Sequence, residues 1–147
     1  MDNVDRKILT LISKAFPVER RPYRKIADAI GINEDETFER VKKLRLSGMI
    51  RRIGATINPR KIGWVSTLCG VHIPEDKIDR YATIVNGFPE VTHNYVRSGT
   101  PNCWFTIIAR DRQRCDEIIE EISRRLDVRI LDLPASRVFK TDVHFRL

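Results

Sequence analysis

The residues best suited to chemistry lie on both sides of one short polar break near residue 100. His93 and Tyr95 come before the break, Arg97 stands at its edge, and Asn102 and Trp104 follow it. Together they supply an imidazole, a fixed cation, an amide and flat aromatic rings. Each is also common as an ordinary structural residue, so it is their clustering that favours a binding or catalytic site.

Two short runs of sequence must position these side chains. Val91–Val96 and Cys103–Ala109 are rich in β-branched and aromatic residues and flank Ser98-Gly99-Thr100-Pro101-Asn102, a pattern that predicts two strands joined by a hairpin loop. Because neighbouring residues of a strand point to opposite faces, His93 and Tyr95 are expected on one face and Asn94 on the other.

The hairpin belongs to a longer alternation of strands and helices. Apolar spacing predicts a strand over 65–73, a helix over 74–88, a helix over 111–126 and a last strand over 128–133. The order βαββαβ is that of a ferredoxin-like domain, in which two helices cover one face of an antiparallel sheet. The other face also needs a cover, and we expect a second copy or a related subunit, packed sheet to sheet.

The first part of the chain shows a helical period instead. Apolar stripes predict helices over 2–16 and 23–30, and a third helix that Asn33 caps and Gly48 follows. The apolar stripe of the third helix comprises Phe38, Val41, Leu44 and Leu46. Three short helices in this order make a helix-turn-helix.

The segment after the third helix alternates between apolar and polar residues. Met49–Ile57 turns at Gly54 and predicts a small β-ribbon, which would make the first unit winged. A change of composition over Asn58–Trp64 predicts a linker. We therefore predict an α+β chain with a winged helix-turn-helix domain over 1–60 and a ferredoxin-like ligand-binding and dimerisation domain over 61–147.

Composition narrows the possible partners. Of the 147 residues, 41% are hydrophobic and 32% are charged, as expected for packed globular domains. No apolar run is long enough to span a bilayer and the first residues are acidic, so we expect a cytoplasmic protein without membrane contact. The net charge of +7 favours a polyanionic partner, either nucleic acid or a small molecule with many carboxylates.

The cysteines do not predict a metal centre. Cys69, Cys103 and Cys115 are odd in number and widely spaced, unlike the arrays that bind zinc or iron–sulfur clusters. We expect them to be small buried residues or free thiols.

A helix-turn-helix before a βαββαβ domain resembles the Lrp/AsnC transcription regulators, and the opening Asp2–Leu9 resembles their first helix. In that family the third helix enters the major groove of DNA. Here it begins Asn33-Glu34-Asp35-Glu36-Thr37-Phe38-Glu39, which would bring four carboxylates against phosphates. The acidic residues are equally explained by a well-capped solvated helix. Basic residues further along the helix still offer phosphate contacts: Arg40, Lys42, Lys43 and Arg45. DNA binding is therefore disfavoured.

Three separated blocks resemble a narrower family, the siroheme decarboxylases of alternative haem and haem d1 biosynthesis. The blocks are His93-Asn94-Tyr95-Val96-Arg97, Asn102-Cys103-Trp104-Phe105-Thr106 and Arg51-Arg52-Ile53-Gly54-Ala55. The resemblance implies an Lrp/AsnC-like enzyme subunit that removes carbon dioxide from two acetate side chains of siroheme, giving didecarboxysiroheme. It implies no cofactor beyond the siroheme and its iron, or haem bound in the same place.

The resemblance also assigns roles to residues. His93 and Tyr95 are the catalytic candidates, with His93 as proton donor, as axial ligand of the siroheme iron, or as a structural residue. For a flat ligand rimmed with carboxylates, cations and aromatic walls are needed. The predicted substrate-binding residues are Arg51, Arg52, Lys61, Trp64, Arg97, Asn102 and Trp104. His72 and His144 are expected to be structural.

Two other functions stay open at this point. One is an Lrp-type regulator whose second domain binds a small effector. The other is a non-catalytic subunit that completes the pocket of a paralogue in a heterodimer. The family pattern places His and Tyr where this chain has Gly99 and Pro101, and that departure supports the non-catalytic alternative.

Overall fold

The computed structural model describes residues 1–140, so the expectations for His144 and for the end of the second domain lie outside the described residues. Contacts divide the described chain into two compact units, Met1–Thr56 and Ile57–Phe139. This division falls four residues before the boundary expected at residue 60, since a short 3-10 turn at Pro59–Ile62 packs with the second unit. None of the described helices is both long and apolar enough to cross a bilayer.

The first unit is the predicted helix-turn-helix. It consists of α1 (Asn3–Lys14), α2 (Pro22–Ile30) and α3 (Glu34–Leu46). Asp2 and Asp5 form a reciprocal capping box at the start of α1, and the Asn33 side chain accepts a hydrogen bond of 2.7 Å from the Glu36 amide at the start of α3. The buried apolar residues between the helices are Ile8, Leu9, Ile26, Ala27, Val41, Leu44 and Ile50.

Two expectations for this unit are wrong. Phe38 and Leu46 do not belong to the core, since 45% and 80% of their surfaces are exposed. The buried stripe of α3 instead combines Val41 and Leu44 with Thr37, whose hydroxyl group donates to the Asn33 carbonyl and so tolerates burial. The ribbon predicted over 49–57 is also not formed, because this segment contains no strand in the part of the chain that the structure describes.

The second unit has the predicted βαββαβ order. Its elements are β1 (Val65–Val71), α4 (Ile78–Asn86), β2 (Val91–Val96), β3 (Cys103–Ala109), α5 (Arg112–Leu126) and β4 (Leu131–Pro134). The sheet order is β2-β3-β1-β4 and every neighbouring pair is antiparallel. The ferredoxin-like fold is therefore confirmed.

The ends of some elements differ from the expectation. Helix α4 begins at Ile78, after a short 3-10 turn at Glu75–Lys77, instead of at Pro74. Strand β4 begins at Leu131, because the left-handed backbone of Asp127 and the bond from the Val128 amide to the Ser123 carbonyl first close the end of α5. The hairpin strands β2 and β3 have the predicted bounds.

Both helices pack on one face of the sheet. Alternate residues of β3 are fully buried against them: Cys103, Phe105, Ile107 and Ala109. From α4 and α5 the buried partners are Tyr81, Val85, Cys115, Ile118 and Ile122. The three cysteines are buried free thiols, as expected.

Candidate functional site

The side of the sheet that faces away from the helices carries most of the predicted site residues. We call this side the open face. Cross-strand pairing arranges it in two rows, Tyr95–Trp104–Gly70–Leu131 and His93–Thr106–Leu68–Leu133. Four of its large side chains, Leu68, Tyr95, Leu131 and Leu133, have 42–49% of their surface exposed. Nothing in the described chain covers this apolar and aromatic surface.

The ring of Trp104 lies across Gly70 on the neighbouring strand. A Cβ atom at Gly70 would come within 3.0 Å of the Trp104 ring and 3.2 Å of Pro101, so only a glycine leaves this space. The indole nitrogen donates a hydrogen bond of 3.0 Å to the Pro101 carbonyl. Trp104 is therefore a fixed, half-buried aromatic platform. The sequence alternation did not single out Gly70.

His93, Tyr95 and Arg97 follow one another along the open side of β2. The rings of His93 and Tyr95 have centroids 6.1 Å apart and are inclined by 31°. The Arg97 guanidinium carbon lies 5.8 Å from the Tyr95 ring centroid, within the range of a cation–π contact. As predicted, the two catalytic candidates share a face. His93 and Tyr95 lie in one line along the strand, and the guanidinium group of Arg97 lies at the Tyr95 end of this line.

A β-bulge at Thr92 sets the orientation of His93. The pairing register shifts between Val91 and His93, and the Thr92 hydroxyl group lies 3.0 Å from Nδ1 of His93. The same hydroxyl is also within hydrogen-bond distance of the Thr106 carbonyl, at 3.4 Å. A neutral imidazole keeps one nitrogen as donor and one as acceptor, the form in which it binds a metal or accepts a proton.

Asn94 points to the opposite side and anchors β2 to α4. Its side-chain oxygen accepts a hydrogen bond of 2.6 Å from the Tyr81 hydroxyl, and its nitrogen donates to Asn86 at 3.0 Å. Burial raises the pKa of the Tyr81 phenol, so this hydroxyl stays protonated and remains a donor. Because Asn94 is held on the helix side, His93 and Tyr95 on either side of it must face outward.

Asn102 closes the base of the hairpin loop. Its amide oxygen accepts from the Ile73 amide at 2.8 Å, and its amide nitrogen donates to the Ile73 carbonyl at 2.7 Å. Its own carbonyl accepts from the Arg97 amide at 2.7 Å. The side chain predicted to bind substrate is thus engaged with the backbone of the neighbouring strand.

The remaining predicted residues belong to neither row. Lys61 stands in the exposed 3-10 turn, and Trp64, 43% exposed, immediately precedes β1. Trp64 is four residues before Leu68, about 13 Å along an extended strand. Arg51 and Arg52 are exposed residues of the first unit, where Arg52 donates to the Ala55 carbonyl at 3.3 Å.

The first turns of α3 are held by ion pairs within the first unit. Arg40 contacts Asp2 at 2.7 Å, Glu36 at 2.8 Å and Asp5 at 2.9 Å, and Glu34 pairs with Arg21. The hydrogen bond from the Asp5 amide, followed by the one from Arg40, lowers the pKa of the Asp2 carboxyl. Arg40, which the sequence offered as a phosphate contact, is instead surrounded by carboxylates.

Comparisons with known proteins agree with this architecture. A family model for the AsnC-like ligand binding domain matches residues 61–140, and one for the siroheme decarboxylase NirDL-like HTH domain matches residues 5–51. The crystal structure of the Mycobacterium tuberculosis leucine response regulatory protein superposes with a TM-score of 0.84 over the whole of both chains at 17% identity. The fold is that of an Lrp/AsnC-type protein.

More specific relatives are siroheme decarboxylase subunits. The alpha subunit from Desulfovibrio desulfuricans is 42% identical over 147 residues, covering 100% of this chain and 85% of that protein. The NirD and NirG subunits of Pseudomonas aeruginosa are 33% and 27% identical over all of this chain, covering 97% and 100% of their own lengths. The crystal structure of the siroheme decarboxylase NirDL has a TM-score of 0.70 at 29% identity, covering 99% of this chain and 48% of that one. The chain belongs to the siroheme decarboxylase family.

Proposed function

We propose that this chain is a siroheme decarboxylase subunit whose open face forms one wall of the siroheme-binding pocket. The observation that carries the proposal is the line of His93, Tyr95 and Arg97 beside the Trp104 platform, on a sheet face that the described chain leaves uncovered. A flat macrocycle stacks on aromatic and apolar side chains, and its carboxylates bind to arginine forks.

We propose that a paralogous subunit supplies the opposite wall. Arg97 is the cation in contact with Tyr95, and groups on one wall of a pocket cannot surround a ligand that carries carboxylates all around its rim. The NirD and NirG relatives come from one organism and both align with the whole of this chain. NirDL is about twice as long as this chain, which leaves room for a second such unit. Pairing with a paralogue also covers the exposed leucines of the open face.

The proposed reaction is a decarboxylation without change of oxidation state. The bond between the methylene carbon and the carboxylate carbon breaks, the electron pair stays on the methylene carbon, and the ring delocalises it. A proton then adds to that carbon, so the products are a methyl group and carbon dioxide. Exclusion of water from the pocket favours the step because it removes hydration from the carboxylate.

We propose separate roles for the two catalytic candidates. His93 coordinates the iron of the substrate through Nε2, because Thr92 contacts its Nδ1 and no partner for Nε2 lies within residues 1–140. The Tyr95 hydroxyl, on the same face, is then the proton donor. Solvent restores the proton after each turnover.

The test is anaerobic incubation of the purified chain with siroheme, with and without its paralogue, followed by mass analysis of the product. The expected result is loss of two molecules of carbon dioxide in the mixture. Tyr95→Phe should lower turnover by about 10²-fold or more while siroheme binding persists. His93→Ala should change the visible spectrum of bound siroheme.

Other outcomes would contradict parts of this proposal. Full turnover by the mixture with both variants would make this chain the non-catalytic subunit that completes its paralogue's pocket. In the present chain, the backbone φ of Gly99 is +98°, which suits a glycine better than the histidine of the family pattern. Absence of siroheme binding, together with salt-dependent binding of duplex DNA, would favour a regulator instead.

A further inference from the structure

We infer that His72 and Arg129 form, together with Arg97, a carboxylate-binding row at the hairpin-loop end of the open face. This inference rests on the proposed function, because it assigns the groups that hold the acidic rim of the tetrapyrrole. The sequence offered His72 only as a structural residue and did not single out Arg129.

The burial pattern of β1 places His72 on the open face. Val71 and Ile73 each have 2% of their surface exposed and pack with the helices, whereas His72 between them is exposed. Side chains alternate along an extended segment, so His72 stands on the same side as Gly70 and Leu68. A histidine required only for packing would be buried at this position.

The segment before β4 shows the same alternation. Val128 and Ile130 pack against the core under the helices, and Arg129 between them is exposed. Arg129 is therefore on the side of Leu131 and Leu133. The strand begins only at Leu131, but the alternation of burial already holds from Val128.

The sheet register brings these residues into one row. Gly70 pairs with Leu131 and with Trp104, and Trp104 pairs with Tyr95. Continued by two residues toward the hairpin-loop end of the sheet, the same register aligns Arg97, Asn102, His72 and Arg129. Three hydrogen bonds show that the alignment of β2, β3 and β1 continues past the strand ends, since the Arg97 amide donates to Asn102 and the Asn102 side chain forms two bonds with Ile73.

Arg97 and Arg129 lack the carboxylate partners that other arginines of the second unit have. Five of those arginines form ion pairs with carboxylates: Arg110, Arg112, Arg114, Arg124 and Arg125. Within residues 1–140 no carboxylate pairs with Arg97 or Arg129, and His72 has no hydrogen-bond partner there. Unpaired cations aligned on one apolar face indicate a site for an external anion.

The spacing of the row suits a ligand with several separated carboxylates. Neighbouring strands are about 4.8 Å apart, so the positions of Arg97, just after β2, and Arg129, before β4, are separated by about 14 Å. His72 lies between them and donates from an imidazole nitrogen in either tautomer. The adjacent row holds Tyr95 and the Trp104 platform, so the ring can stack there while its rim reaches the cations.

The experiment is a siroheme titration of the complex between the full chain and its paralogue, read by the visible spectrum. Arg129→Gln and His72→Gln are compared with Arg124→Gln, which removes the same charge from α5 on the opposite side of the sheet. Haem, which bears fewer carboxylates, serves as a second probe. Thermal unfolding verifies that each variant is folded.

Arg129→Gln should weaken siroheme binding about tenfold and haem binding much less, with a smaller effect of the same kind for His72→Gln. Arg124→Gln should bind both as the wild type does. The contrary result is that the wild-type complex binds siroheme while Arg129→Gln and His72→Gln bind it as tightly as Arg124→Gln does. That result refutes the carboxylate-binding row and leaves the proposed function standing. If the wild-type complex binds no siroheme, the proposed function itself fails.

Discussion

At Gly70 the absence of a side chain shapes the open face. The Trp104 ring and Pro101 occupy the space that a Cβ atom would need, at 3.0 and 3.2 Å. Because the indole nitrogen is also bonded to the Pro101 carbonyl, the ring cannot move aside without losing that hydrogen bond. The glycine is therefore a determinant of the aromatic platform rather than a flexible link.

Gly70→Ala should displace Trp104 and destabilise the chain by about 1–3 kcal/mol, the usual cost of forcing a methyl group into a packed site. Urea unfolding followed by tryptophan fluorescence measures the loss, and siroheme affinity should fall with it. Gly54→Ala is the matched control, since a Cβ atom there meets nothing within 4 Å. Equal stability of the two variants would show that Trp104 relaxes freely.

Residue types alone identified part of this site. The alternation of strand side chains correctly placed His93 and Tyr95 together, because it depends only on local backbone geometry. Gly70 was not identified, since its role comes from the Trp104 ring on the neighbouring strand. For Asn102 the type suggested a ligand contact, whereas the register of β1 and β3 engages its amide with Ile73. Long-range register cannot be predicted from a residue's own neighbours.

At the scale of elements, an ionic contact adds to the backbone pairing that holds β4 to β1. Asp132 accepts hydrogen bonds from Thr67 on β1 and from Arg112 at the start of α5. Burial alone raises the pKa of Asp132, but the bonds from Arg112 and Thr67 outweigh it and the pKa is lowered. The edge strand, the central strand and the helix therefore meet at one carboxylate.

Asp132→Asn should reduce the free energy of unfolding by about 1 kcal/mol at pH 7, a value discounted because a quarter of the side chain is exposed. A carboxyl group whose pKa is lower in the folded state stabilises above its unfolded value of 3.8 and loses this effect as the pH falls below it. The difference between wild type and variant, measured by urea unfolding from pH 7 downward, should shrink toward zero in acid.

Glu120→Gln, which removes a negative charge from an exposed position on α5, is the control for this measurement. It should leave stability nearly unchanged at every pH. A difference for Asp132→Asn that stays constant down to pH 3 would mean that packing, rather than the ionised carboxylate, holds β4 in place.

The elements were easier to predict than their contacts. The strands of the hairpin have the predicted bounds, because their β-branched runs end at a loop rich in glycine and proline. Helix α3 was predicted with its cap, but Phe38 and Leu46 lie outside its core. The alternation over 49–57 predicted a ribbon that this segment does not form by itself, since a strand needs a pairing partner as well as a period.

For the whole molecule, the distribution of exposed apolar residues indicates where a partner packs. The open face presents Leu68, Leu131 and Leu133 beside Tyr95, and this contiguous apolar surface is larger than isolated exposed leucines produce. A ferredoxin-like sheet with helices on one side leaves its other side without a hydrophobic cover. The association and the substrate pocket that we propose therefore use the same surface.

Leu131→Glu should consequently disrupt both processes. A carboxylate in the proposed sheet-to-sheet contact would lose its hydration, which costs several kcal/mol, so the complex should dissociate and siroheme binding should be lost. Size-exclusion chromatography with light scattering measures the assembly. Leu46→Glu is the matched control, because Leu46 is even more exposed but lies on α3 in the first unit. If the complex persists in Leu131→Glu, or if Leu46→Glu disrupts it equally, the subunit contact lies away from the open face. The contact is then separate from His93 and Tyr95, the residues that we propose to be catalytic.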